Sequence, residues 1–106
     1  MAWIYVLIAG VFEIVWALCL KLSDGLSRPL WVAWTVAALI LSMVALALSL
    51  KSIPLSTAYA VWTGIGAAGT ALVGMAALGE PVSAARLACI GLIVIGILGL
   101  KLASSS

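Results

Sequence analysis

Four apolar runs, at roughly 3–21, 30–50, 55–78 and 84–100, leave little of this 106-residue chain outside them. Each is close to the ~20 residues that a helix needs to cross the hydrocarbon core of a bilayer. The stretches between them, "LSDGLSRP" at 22–29, "KSIP" at 51–54 and "GEPVS" at 79–83, are built from residues that stop helices and turn chains. With 67% of residues hydrophobic and 8% charged, the chain cannot cover a soluble core with polar surface. The expected fold is therefore all-α and integral to a membrane, a single four-helix transmembrane domain over residues 1–106 with no extramembrane domain. The first run begins apolar almost at once and holds an acid at its centre, so it reads as a retained span rather than a cleaved signal peptide.

Several function classes drop out on composition. Cys19 and Cys89 have no CxxC spacing and there is no histidine to join them, so no metal site is expected and both read as small packing residues. A net charge of +2 without a basic tail or stripe gives no reason to expect nucleic acid. Nothing suggests an enzyme or a cofactor.

An even number of spans places both termini on one side with Lys51 and Lys101, and leaves Lys21, Arg28 and Arg86 on the other. Because the Lys/Arg bias of short loops sets orientation, two against three predicts weak or dual topology. Copies inserted both ways can form an antiparallel homodimer, the arrangement by which secondary transporters pair inverted halves about a midplane site; a single orientation with weak signals is the alternative. In the fourth run Ala84, Ala88, Gly91, Ile95 and Gly99 recur at helical spacing, a small-residue stripe suited either to dimer packing or to close packing within one subunit. Gly64, Gly66 and Gly69 in the third run serve as a hinge or as points of close helix approach.

The chemistry concentrates on Glu13. It lies ten residues beyond Trp3, or ~15 Å along a helix, near the membrane midplane. Charge costs ~3 kcal/mol there on insertion scales, so an acid in that place is a functional candidate by default. With no histidine, and with Asp24 and Glu80 in loops, Glu13 is the expected proton carrier. Val6, Ala9, Gly10, Glu13, Trp16, Ala17 and Leu20 share one helix face, so small residues flank the acid and Trp16 supplies an aromatic wall one turn on. Tyr59 and Trp62 in the third run, and the Ser42 hydroxyl in the second, lie at comparable depth. Trp3, Tyr5, Trp31 and Trp34 read as an interfacial belt. A carboxylate with aromatic faces in a dry site suits a cation. The alternative reading of each side chain is ordinary packing, with Glu13 a hydrogen-bonded acid used for assembly.

Taken together, "GVFEIVWALCLK", "STAYAVWTGIGAAGT" and "GLIVIGILGLK" resemble the small multidrug resistance family of proton-coupled exporters over essentially the whole chain. The resemblance implies an antiparallel homodimer of four-helix subunits in the cell membrane, with substrate and protons competing for paired glutamates at Glu13. "EIVWA", "GEP" at 79–81 and "GLK" at 99–101 look like the guanidinium-exporting subtype, since drug-exporting members usually have Gly-Thr where this chain has Trp16-Ala17. By carry-over, Glu13 binds guanidinium and protons, Gly10 and Trp16 shape the pocket floor, Ser42 orients Glu13 by hydrogen bonding, and Tyr59 and Trp62 wall the site. Two protons exchanged per cation would make transport electrogenic. Lys101 also fits the subtype, although a lysine at a helix end reads first as a side chain snorkelling to the interface. The competing readings are a broad quaternary-ammonium and aromatic-cation exporter using the same Glu13, a passive channel, disfavoured for anions by the midplane carboxylate, and a non-transporting assembly subunit.

Overall fold

The computed structural model describes residues 2–104. These form α1 (Ala2–Leu22), α2 (Pro29–Ser49), α3 (Leu55–Ala77) and α4 (Ala84–Ser104), all long and apolar enough to cross a membrane. The expected spans hold to within a residue or two, except that α4 runs on to Ser104 rather than ending near 100. Its extension carries Lys101 to Trp3, whose ring centroid lies 5.4 Å from the ammonium nitrogen. That contact ties the end of α4 to the start of α1.

The connections follow from their residues. Ser23, fully buried, donates to Leu20 O (2.6 Å) and accepts from Leu26 N–H (3.1 Å), while Asp24, Gly25 and Leu26 all take left-handed φ to reverse the chain. Pro29 opens α2, where a missing N–H costs nothing. At the start of α4, Ser83 Oγ accepts from Arg86 N–H at 3.1 Å, satisfying one of the helix's free donors.

Among the described residues, α1 packs against both α2 and α3, α2 barely meets α3, and α4 packs mainly on α3, with Lys101 reaching α1 at its far end. The subunit is flattened, 45 × 34 × 17 Å. Its core lies toward the end of the subunit that holds the start of α1: Val6 and Ala9 of α1, Ala45 and Leu46 of α2, Ile53, and Ala58, Val61 and Trp62 of α3. Small residues there let the helices approach closely, which matters in lipid because packing replaces the hydrophobic effect as the driving force between helices. Cys19 is buried as expected, whereas Cys89 on α4 is exposed.

A midspan groove and its carboxylates

Glu13 sits where α1 crosses α3, and the crossing depends on glycine. A Cβ at Gly66 would lie 2.5 Å from Glu13 Cδ, and one at Gly10 would lie 2.5 Å from Ile65 Cγ2. Gly69 similarly admits Ile14, and Gly64 admits Ile97 of α4. Close approach therefore accounts for all three glycines of "GIGAAG" within a continuous α3.

Beyond this crossing the helices part around a groove of about 400 Å³, lined by Glu13, Trp16 and Ala17 of α1, by Thr63, Gly66, Ala67, Thr70 and Ala71 of α3, and by Glu80. Glu13 Oε2 and Trp16 Nε1 are buried atoms with no hydrogen-bond partner among the described residues. One is an acceptor and the other a donor, so hydrogen-bonding capacity of both kinds lies unspent beside the groove. Thr63 adds little as a donor, since its hydroxyl proton goes to Tyr59 O (2.8 Å).

Of the six residues singled out from the sequence for the pocket, the structure brings Glu13 and Trp16 together on this groove. Gly10 lies one turn below, buried against α3. Ser42 and Trp62 form a buried relay behind it, in which Trp62 Nε1–H donates to Ser42 Oγ (2.9 Å) and Ser42 donates to Ala9 O (2.7 Å). The expected hydrogen bond from Ser42 to Glu13 is not formed, because the serine has one proton and the α1 backbone takes it. Tyr59 packs on Trp62, with ring centroids 5.6 Å apart, but is 54% exposed and points out of the subunit. Sequence reasoning missed the α3 wall of Thr63, Ala67, Thr70 and Ala71, whose small residues at helical spacing look alike whether they pack or line a groove. It also missed that Glu80, in the loop where the sequence places it, reaches the groove.

Four helices long and apolar enough to cross a membrane, with a carboxylate held on the groove between α1 and α3, define a multi-pass membrane protein. The family model described as Small Multidrug Resistance protein matches residues 1–93. The chain belongs to the small multidrug resistance family, and it is a multi-pass protein of the cell membrane. It is 54% identical over 104 residues to a protein of Yersinia pseudotuberculosis named Guanidinium exporter, covering 98% of this chain and 100% of that relative. Proteins with the same name from Escherichia coli K12 and Salmonella typhimurium are 53% and 51% identical, each match covering 98% of this chain and 99% of the relative.

Proposed function

We propose that this protein exports guanidinium and small guanidinyl cations in exchange for protons, as a dual-topology antiparallel homodimer in which substrate and protons compete for paired Glu13 side chains. The observation that carries the reading is the seat of Glu13: a carboxylate with a buried oxygen that finds no partner among the described residues, backed by a glycine and set beside Trp16 on the groove between α1 and α3. Guanidinium is planar and presents a fork of N–H donors that fits a carboxylate bidentately. Relatives just over half identical carry the name Guanidinium exporter, which supports the same substrate.

Two features support assembly as a pair. The small-residue stripe of α4 faces away from α3: Ala84, Ala88, Ile95 and Gly99 are exposed, and a Cβ at Gly91 or Gly99 would meet nothing within 4 Å. Tyr59 is likewise available to a second subunit, where it would wall the shared site from the partner's side, backed by the buried Trp62. The two-against-three charge balance permits both orientations.

The test is electrical. Purified protein in proteoliposomes should give currents on addition of guanidinium but not of urea, with smaller ones for tetramethylammonium, and Glu13→Gln should abolish them. Reversal potentials should match two protons per cation. Equal or larger tetramethylammonium currents would replace the reading with a broad cation exporter, and silence toward every cation would leave an assembly subunit.

A further inference from the structure

The second carboxylate on the groove, that of Glu80, has been set there by four features of the chain. Gly79 takes a left-handed φ of 70° at the end of α3, which turns the backbone back on itself. Glu80 N–H then reaches Gly74 O at 3.2 Å, docking the reversed segment on the helix it has just left. Gly74 supplies the space: a Cβ there would lie 2.8 Å from Glu80 Cδ and overlap the carboxylate. Pro81 follows and prevents the helix from resuming. Thus "GEP", a motif that the Glu13 site does not explain, delivers one acid onto the groove wall.

Glu13 lies against Gly66 and Glu80 against Gly74, eight residues further along α3. The two carboxylates therefore mark two levels of the same groove, ~12 Å apart along the helix. Glu80 is at the outer level, near the end of the span. Its neighbour there is Arg86, whose Nη2 lies 3.8 Å from Glu80 Oε1 with the two side chains 42% and 41% exposed. Such a pair is loose and open to water, so a competing cation can exchange with it. Arg86 also lines a second groove with Ala71, Ala85, Cys89 and Ile90, beside the first, which gives its side chain somewhere to lie when displaced. The chemistry of the pair is suggestive in itself, since the cation that the chain places on Glu80 is a guanidinium.

We infer that Glu80 is an outer subsite for the transported guanidinium, occupied by the Arg86 guanidinium until substrate displaces it on the way to or from Glu13. This deepens the transport reading above and rests on it. Arg86 then acts as a tethered competitor: it selects for cations that bind a carboxylate as well as a guanidinium does, and it keeps the outer carboxylate covered between transport cycles.

The two members of the pair must affect transport in opposite directions, and a brace that merely holds the α3–α4 turn cannot do that. In proteoliposomes of the full chain, Glu80→Gln should lower the initial current at limiting guanidinium by about tenfold, the low end for clefts lined by charge. Arg86→Gln should raise it, and both effects should shrink as salt is added. Glu80→Asp, which keeps the charge, should retain most of the wild-type current. Equilibrium binding of guanidinium, followed by Trp16 fluorescence, should persist in Glu80→Gln because Glu13 is intact. Equal losses in Glu80→Gln and Arg86→Gln, no change in either, or loss of equilibrium binding in Glu80→Gln would each overturn the subsite. Wild-type currents with an unaffected Glu80→Gln would sink the subsite alone, whereas a silent wild type would remove the transport reading and the subsite with it.

Discussion

Replacing Gly66 with alanine adds one methyl group at the point where the site is most tightly constrained. The new Cβ would lie 2.5 Å from Glu13 Cδ, well inside van der Waals contact, so something must move. Overpacking of this kind costs ~1–3 kcal/mol when backbones have to part. Here the obstructing atoms are the far end of a flexible side chain, and shifting a glutamate off its preferred rotamer costs only ~0.5–1.5 kcal/mol. Alanine also recovers up to ~1 kcal/mol of helix propensity relative to glycine. The cheaper response is therefore for the carboxylate to yield while the helices stay, leaving stability nearly unchanged and the site displaced. Each 1.4 kcal/mol of lost complementarity is a tenfold loss of affinity, so guanidinium binding should weaken by roughly tenfold. Thermal unfolding of the detergent-solubilised protein and guanidinium-evoked currents, measured on the same preparation, separate the two effects. Wild-type affinity in Gly66→Ala, or a protein that unfolds with its affinity intact, would refute the placement of Glu13 against α3.

Other substitutions probe the remaining walls. Trp16→Gly should widen the groove and raise the ratio of tetramethylammonium to guanidinium current, measured in proteoliposomes; an unchanged ratio would remove Trp16 from the selectivity account. Ser42→Ala leaves the buried Trp62 N–H without its acceptor and should cost ~1–3 kcal/mol in unfolding free energy. Its guanidinium selectivity should be retained, because Ser42 braces α1, α2 and α3 instead of touching the groove. Gly91→Ile fills a position that is open within the subunit and should reduce the dimer fraction, read by cross-linking in membranes, while sparing the fold of the monomer.

The spans and their turns were legible because a bilayer imposes a length that apolar runs of about twenty residues must meet. Glu13 was legible for a related reason: a lone acid in such a run has no cheap explanation. The partner of Ser42 was not, since a hydroxyl near midspan can serve a side chain or a neighbouring backbone, and only the closeness of Ala9 decides between them. The role of the α3 glycines remained open until Glu13, Ile14 and Ile97 were seen filling the space they leave. Glu80 was hidden by its distance in sequence from Glu13. The signal that could have found it was the Gly79-Glu80-Pro81 order, in which a left-handed glycine reverses the chain and aims the next side chain back along α3.

The central claim is that one carboxylate serves both the cation and the proton. Its most direct test is the proton count on substrate binding: guanidinium is added to the purified protein in weakly buffered detergent solution, and the pH change is followed for wild type and Glu13→Gln. Protons released by the wild type in step with guanidinium bound, and none released by Glu13→Gln, are the expected result. Guanidinium binding to the wild type without proton release, or release that survives in Glu13→Gln, would contradict the account.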